Sequence, residues 1–220
     1  MNGTVENPLA PDAVVVWDAG LEALVGLSGA LAAGSRIDLG PWLQEAFDHS
    51  DPVEVEEVLV QSYLFLGFPA ALNALAHWRR LSGRQAPPEE GAEADVSDWT
   101  ERGEVTCRAV YGSAYEALRG NIGRMKPEME RWMLVEGYGK VLSRPGLSLG
   151  RRECCIAAVL AVQDVPVQLR SHLRGALRCG ASVEVVEAVV ASVESFQDAG
   201  ARARTRETLS EVLSSRGARG

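Results

Sequence analysis

The sequence predicts an all-α protein, folded as a compact helical bundle, and two observations support that prediction. Apolar residues recur at helical spacing through most of residues 12–82 and 99–213. Strand signals are almost absent, because the one β-branched run, VVVW at residues 14–17, leads directly into a helical pattern. We therefore interpret that run as the start of the first helix. A chain of 220 residues is long enough to bury a real core.

Composition and charge argue against several classes of protein. The chain is 46% hydrophobic and 24% charged, which is typical of soluble globular proteins. Its formal net charge of −8 argues against nucleic-acid binding, because a basic surface is needed to neutralise phosphates. No run of 18 apolar residues occurs, so we expect no membrane-spanning helix. The first residues lack a basic segment ahead of an apolar core, so we expect no secretory signal, a cytoplasmic location and reduced cysteines.

Composition also divides the chain into segments. Residues 83–98 hold two prolines, two glycines and five acidic residues, between two helix-like regions. Such a composition is typical of a linker. The sequence therefore predicts a helical repeat at residues 1–82, an acidic linker at 83–98 and a second helical domain at 99–220.

The second helical domain contains a well-marked helical hairpin. Ser148 stands where it can cap a helix over residues 149–163, and Asp164 stands at the N-cap position of the next helix, ahead of Pro166. Gly180 follows that second helix as a C-terminal glycine, and Ser182 can cap a third helix. The pattern predicts two antiparallel helices joined by a tight turn.

Each helix of the hairpin carries one ionisable residue on its apolar face. Glu153 shares a face with Ile156 and Leu160, and His172 shares a face with Leu169. Because the two apolar faces must meet to be buried, we expect Glu153 and His172 to face each other across the hairpin. A hydrogen-bonded core histidine and a carboxylate in a capping or salt-bridge role are the alternative interpretations.

The two halves of the chain show internal similarity. The segment PVEVEEVLVQS at residues 52–62 matches SVEVVEAVVAS at 182–192, with an offset of 130 residues. The same offset places Trp42 opposite His172. The sequence therefore predicts an internal duplication in which only the second copy keeps the histidine.

Several of these residues together resemble a known family. They are the Arg-Pro-Gly-Leu turn at residues 144–147, the segment LRSHLRGAL at 169–177, and the segment QSYLFLGFPAALNAL at 61–75 with Gly67 and Pro69. The chain is similar in these motifs to the carboxymuconolactone decarboxylase family, which includes the alkylhydroperoxidase D branch. The resemblance implies an all-α domain that forms a homo-oligomer, and the duplication favours a trimer over a hexamer.

The peroxidase branch of that family uses a Cys-x-x-Cys pair ahead of the histidine. Here Val165 and Gln168 occupy those two positions. Cys154 and Cys155 are adjacent in the predicted helix, so their side chains point about 100° apart, which does not suit a disulfide. We interpret these two cysteines as small buried apolar residues.

The decarboxylase branch resembles this chain more closely and implies a small carboxylate or lactone substrate. In that comparison His172 and Glu153 would be the catalytic residues, with His172 transferring a proton. Arg174 and Arg144 would bind substrate carboxylates, and the segment with Gly67 and Pro69 would complete the site. A stripe such as Arg170, Arg174 and Arg178 is, however, usually a solvated helix face.

We expect neither a metal nor a cofactor, because the three histidines lack metal-ligand spacing and no glycine-rich phosphate loop occurs. Three hypotheses stay open. The first, favoured here, is a decarboxylase-like lyase or lactone-processing enzyme. The second is a thiol peroxidase that uses Cys154 or Cys155. The third is a family member without catalysis, which serves as a binding or assembly module.

Overall fold

The structure, a computed structural model, describes residues 14–86 and 94–217. The first residues of the predicted repeat, most of the acidic part of the predicted linker and the last three residues lie outside that range. Within it every regular element is helical, which confirms the all-α prediction. The helices are α1 (Ala19–Ala33), α2 (Gly40–His49), α3 (Pro52–Gln61), α4 (Tyr63–Ser82), α5 (Val96–Tyr111), α6 (Tyr115–Met125), α7 (Pro127–Trp132), a π-helix (Met133–Leu142), α8 (Leu149–Val162), α9 (Pro166–Arg178), α10 (Val183–Ser192) and α11 (Ala199–Gly217).

The run at residues 14–17 does not start the first helix, so that expectation is wrong. Val15 forms an isolated parallel bridge with Ala181, and its N–H donates to the Gly180 carbonyl at 3.0 Å. Helix α1 begins only at Ala19, where the side chain of Asp18 accepts a hydrogen bond from a backbone N–H of the first turn. The β-branched residues thus stay extended, as their backbone preference favours.

Helices α1 and α8 lie side by side at the centre of the bundle, and α9 and α10 pack around α8. Nearly every residue of α8 is buried, and one cluster of apolar side chains includes residues of both predicted halves. The predicted domain division stays a prediction. The last residues of the predicted linker are helical. Asp95 and Asp98 form a capping box that begins α5.

The hairpin of α8 and α9 follows the prediction except at its turn. Ser148 caps α8 and Ser182 caps α10, as the sequence indicates. Asp164 was predicted as the N-cap of α9, and that is wrong. It adopts a left-handed conformation (φ 57°) in the turn, and its carboxylate instead binds Arg204 of α11. Val165 precedes α9, and Pro166 occupies the first helical turn.

The bounds of the helices bear on the predicted duplication. Adding 130 to the bounds of α1 gives 149–163, which matches α8, and adding it to α3 gives 182–191, which matches α10 within one residue. The same shift relates Gly34 to Asp164, and both have positive φ. This agreement concerns positions along the chain only, so the duplication stays a prediction.

Helix α5 and the π-helix pack unusually close together. A Cβ atom at Gly139 would lie 1.8 Å from the carbonyl oxygen of Trp99, and one at Gly103 would lie 2.1 Å from that of Leu134. Since neither distance is possible for a real Cβ, glycine is required at both positions. The contact fixes the π-helix against α5 and so positions Tyr138 beside the hairpin.

Helices α3 and α4 meet at Ser62, and α4 is itself interrupted at Gly67 (φ 80°, ψ 163°), two residues before Pro69. Only glycine adopts that conformation readily, so the interruption is encoded locally. In the described ranges no single helix is long and apolar enough to cross a membrane. Helices α3 and α4 taken together meet the length and composition criteria, but they are bent by 116°.

Candidate active site

The site is built around a contact between the two helices of the hairpin. Nδ1 of His172 on α9 lies 2.9 Å from Oε2 of Glu153 on α8. Glu153 is 0% exposed and His172 is 6% exposed. The expectation that these residues face each other is therefore confirmed. Their catalytic roles stay a prediction.

A glycine permits this close contact. A Cβ atom at Gly175, one turn after His172, would lie 2.3 Å from Oε2 of Glu153. Any larger residue would thus displace the carboxylate from its position against α9. Sequence reasoning did not single out Gly175, although the segment LRSHLRGAL contains it. Its signal would have been a glycine on the buried side of a helix.

The contact also orients the imidazole ring. A carboxylate oxygen accepts hydrogen bonds, so Nδ1 of His172 carries the hydrogen and donates to Glu153. Among the described residues no group hydrogen bonds to Nε2 of His172. The ring is therefore held through Nδ1.

Two aromatic side chains from other elements contact the histidine, and a third contacts one of them. The ring centroid of Phe65, on the first turn of α4, lies 6.0 Å from that of His172, edge to face. Tyr111 at the end of α5 lies 6.4 Å from His172, and Tyr138 of the π-helix lies 6.1 Å from Tyr111. The site is thus formed by five elements, and sequence reasoning predicted none of these aromatic residues.

The two tyrosines remain protonated at neutral pH. Burial, the Tyr111 phenol and the Glu153 charge raise the pKa of Tyr138 well above its ordinary value. Burial likewise raises the pKa of Tyr111 to about 12, although a hydrogen bond from Tyr138 opposes the shift. Both phenols therefore keep their O–H groups and can only donate or accept hydrogen bonds there.

The second carboxylate oxygen of Glu153 has no protein partner. Oε1 is buried, and no described residue hydrogen bonds to it. An unsatisfied buried oxygen is costly in a folded protein, and such groups concentrate at functional sites.

The segment with Gly67 and Pro69 lies next to the site. Phe65, two residues before Gly67, contacts His172, and its carbonyl oxygen accepts a hydrogen bond of 3.0 Å from Gln163 Nε2 at the end of α8. The structure thus brings this part of the first half to the hairpin. Participation of Gly67 and Pro69 in substrate binding stays a prediction.

The structure does not bring Arg174 and Arg144 to the histidine through any described contact. Nη2 of Arg174 donates to Ser215 of α11 at 3.3 Å, on a different face of α9 from His172. Arg144 forms a forked ion pair with Glu57 of α3, with distances of 2.9 and 3.1 Å. Their substrate-binding roles stay predictions. Arg170 pairs with Glu211 of α11 and Arg178 donates to a carbonyl of α5, and Arg178 is exposed, so the interpretation of this stripe as a solvated face stays open.

The cysteines are placed in the core. Cys107, Cys154 and Cys155 are 0% exposed, Cys179 is 6% exposed, and all four are free thiols. Burial raises the pKa of Cys155 and of Cys107 to about 12, and it raises that of Cys154 further. Thiols in such surroundings are poor nucleophiles, since the thiolate is the reactive form.

We therefore expect the native protein to resist thiol reagents. With a pKa near 12, about one thiol in ten thousand is ionised at about pH 8. Incubation with a disulfide reagent such as dithiobisnitrobenzoate should label no cysteine rapidly in the folded protein and all four after unfolding in urea. Rapid labelling of Cys154 or Cys155 in the native state would contradict the burial described above.

The described residues contain no group of three or more His, Cys, Asp or Glu side chains arranged to hold a metal ion. Two cavities lined by described residues lie elsewhere. One of about 340 Å³ lies between α1 and α2, and one of about 420 Å³ lies beside Arg144.

Comparison with known proteins finds a matching family model and two similar proteins. The model of the carboxymuconolactone decarboxylase family matches residues 127–214, a range that contains both Glu153 and His172. Peroxisomal protein 2 of Schizosaccharomyces pombe is 33% identical over 152 residues, which cover 65% of this chain and 70% of the relative. Peroxisomal protein 2 of Saccharomyces cerevisiae is 27% identical over 160 residues, which cover 60% of this chain and 56% of the relative.

The names of these relatives contradict the cytoplasmic location predicted from the sequence, because they point to the peroxisome. That prediction relied on the absence of a secretory signal, which does not distinguish the cytoplasm from an organelle reached by another route. The family suggested by the residue motifs is confirmed. The matched range and the relative at 33% identity show that this chain belongs to the carboxymuconolactone decarboxylase family.

Proposed function

We propose that this protein is an enzyme that transfers a proton to or from a small carboxylate or lactone through Nε2 of His172. The observation that carries the proposal is the buried contact of 2.9 Å between His172 Nδ1 and Glu153 Oε2. That contact fixes the ring and leaves the opposite nitrogen for the substrate. A histidine in this arrangement is suited to general acid–base catalysis.

In a decarboxylation, His172 would supply the proton that replaces the lost carboxylate. The carbon–carboxylate bond breaks, CO₂ leaves, and the electron pair stays on the substrate carbon. The imidazolium of His172 then donates its Nε2 proton to that carbon and later regains a proton from water. Glu153 keeps its hydrogen bond with Nδ1 throughout and so holds the ring in place. In lactone processing, Nε2 of His172 would exchange a proton with a carbon or oxygen atom of the lactone.

The thiol peroxidase alternative has less support. Val165 and Gln168 replace the redox cysteines, and the remaining thiols are buried with raised pKa values. The role of a binding or assembly module predicts that His172 is dispensable. The buried oxygen of Glu153 that lacks a protein partner favours catalysis instead.

We also propose that the protein is peroxisomal, on the names of its relatives, and that it self-associates, preferably as a trimer. Large apolar side chains on α4 and α7 support association, since Phe68 is 61% exposed, Leu72 60% and Trp132 54%. Light scattering of the purified chain and imaging of a tagged copy against a peroxisomal marker test these two proposals. A monomer, or a tag outside peroxisomes, would contradict them.

A substrate screen with matched variants tests the proposed activity. The protein is incubated with a panel of small lactones and carboxylic acids, and nuclear magnetic resonance follows loss of substrate and release of CO₂. We expect turnover of at least one compound, and a loss of about a hundredfold or more in His172→Gln. The control is His49→Gln, because His49 also contacts a glutamate, Glu45 at 3.3 Å, but on the surface.

The control variant should keep full turnover. Equal activity of wild type and His172→Gln would contradict the assigned role of the histidine. Absence of turnover across the whole panel would contradict the proposed substrate class and favour the module without catalysis.

A further inference from the structure

The first turn of α4, residues 63–66, carries Phe65 to the histidine and is interrupted at both ends. Helices α3 and α4 are bent by 116° where they meet at Ser62. After Leu66 the helical conformation stops again, because Gly67 has φ 80° and ψ 163°. A single turn without regular helix on either side is weakly stabilised by its own backbone hydrogen bonds. Its position therefore depends on contacts made by side chains.

Gln163 attaches this turn to α8. In a regular helix the carbonyl of Phe65 would accept a hydrogen bond from the N–H of the residue four positions later. That residue is Pro69, which has no N–H. The side-chain amide of Gln163, at the end of α8, donates to the Phe65 carbonyl at 3.0 Å instead.

Tyr63 attaches the same turn to the π-helix. Its phenol donates a hydrogen bond of 2.5 Å to Oε1 of Glu136. The ring of Phe68 stacks on that of Tyr63, with a centroid distance of 4.7 Å and an interplanar angle of 15°. Burial raises the pKa of Tyr63 well above its ordinary value, and the hydrogen bond and charge of Glu136 raise it further. The phenol therefore keeps its hydrogen and acts as the donor.

The Tyr63–Glu136 hydrogen bond joins two sides of the candidate active site. Tyr63 is two residues before Phe65, whose ring contacts that of His172 edge to face. Glu136 is two residues before Tyr138 on the π-helix, which is itself fixed by its close packing against α5. The hydrogen bond thus holds the weakly supported turn of α4 to a firmly packed helix.

We propose that Tyr63 and Glu136 are positioning residues of the active site, which act through Phe65. Their hydrogen bond keeps the Phe65 ring beside His172, so it sets the shape of the space in which a substrate meets the histidine. The proposal rests on the proposed function for its effect on turnover. The position of the turn can be measured without any substrate.

Hydrogen exchange measures how firmly the turn is held. The amides of Phe65 and Leu66 both donate to the carbonyl of Ser62, at 3.1 and 2.8 Å. Tyr63→Phe removes the hydroxyl and keeps the ring that stacks on Phe68. We expect both amides to exchange about tenfold faster in Tyr63→Phe, because a hydrogen bond to a charged group is lost.

The ring resonances of His172 provide a second readout, since they respond to the position of the neighbouring Phe65 ring. We expect them to change in Tyr63→Phe. Tyr115→Phe is the matched control, because it also removes a hydroxyl bonded to a charged side chain, that of Arg119 at 3.1 Å, but on α6. The control should leave the His172 resonances and the exchange of the turn unchanged.

Variants of the partner identify the hydrogen bond as the cause. Glu136→Leu should reproduce the effect of Tyr63→Phe, and the double variant should exchange no faster than either single variant, because both remove the same bond. Glu136→Gln keeps an acceptor oxygen and should keep most of the protection. For any substrate found, kcat/KM should fall about tenfold in Tyr63→Phe and in Glu136→Leu, and should be unchanged in Tyr115→Phe.

Four results, each obtained with variants that thermal unfolding shows to be folded, would overturn the proposal. They are unchanged exchange of the turn in Tyr63→Phe, unchanged His172 resonances, additive effects in the double variant, and unchanged turnover. Absence of turnover in the wild type would instead contradict the proposed function. In that case exchange and ring resonances still decide whether the Tyr63–Glu136 hydrogen bond positions Phe65.

Discussion

Turnover of any substrate found for this protein is expected to fall about a hundredfold or more when Glu153 is replaced by glutamine. Glutamine has the shape of glutamate but no negative charge, so the hydrogen bond from His172 Nδ1 is no longer charge-assisted. Its amide can also present an N–H to Nδ1, which would favour the ring form with the hydrogen on Nε2. Both effects disfavour proton exchange at Nε2 of His172.

A readout besides activity separates this role from a purely structural one. The ¹⁵N resonances of the His172 ring report which nitrogen carries the hydrogen. We expect Nδ1 to carry it in the wild type, and Nε2 to carry a larger share in Glu153→Gln. Glu45→Gln is the matched control, because the contact of 3.3 Å between Glu45 and His49 is exposed. Unchanged ring resonances together with full turnover in Glu153→Gln would show that the carboxylate has no part in orienting His172.

Stability is expected to fall by about 3–5 kcal/mol when Arg152 is replaced by methionine. Arg152 is 0% exposed, and its guanidinium donates to Glu57 Oε2 at 2.7 Å, to Gln61 Oε1 at 3.2 Å, and to the carbonyls of Leu147 and Arg144 at 3.1 and 2.9 Å. Burial lowers the pKa of this arginine, and the neighbouring charge of Glu57 opposes that shift. Removing the cation leaves several buried acceptors without a donor.

Urea unfolding followed by circular dichroism measures this loss. Arg170→Met is the control, since Arg170 pairs with Glu211 of α11 while 33% exposed, and an exposed pair contributes only about 0–1 kcal/mol. The double variant Arg152→Met with Glu57→Leu should recover part of the stability, because no buried charge is then left facing an apolar side chain. A loss no larger than that of Arg170→Met would mean that water reaches the cluster.

Local patterns in the sequence were enough to predict the central hairpin. The spacing of apolar residues located α8 and α9, and serines at their expected positions begin α8 and α10. Glu153 and His172 were correctly expected to face each other, because each lies on an apolar face along which the two helices of the hairpin meet. Helix periodicity and capping depend on neighbours within a few residues, and the sequence displays these directly.

Other features depend on packing between distant parts of the chain, and the sequence did not reveal them. Phe65, Tyr111 and Tyr138 converge on His172 from three separate elements, and no local pattern distinguishes them from ordinary core aromatics. Val15 and Asp164 were assigned wrongly because long-range partners, Gly180 and Arg204, decide their conformation and contacts.

The sequence by itself thus determined the fold class, the hairpin and the facing pair Glu153–His172. Only the tertiary structure decided which other side chains lie around that pair and which residues Arg144 and Arg152 bind. The partners of Arg144 and Arg152 lie on α3, almost a hundred residues away along the chain. Charged side chains are long and can reach several neighbours, so their partners are chosen by which helices pack together. That choice depends on close approaches such as those at Gly139 and Gly175, where the absence of a Cβ atom sets the distance between two helices.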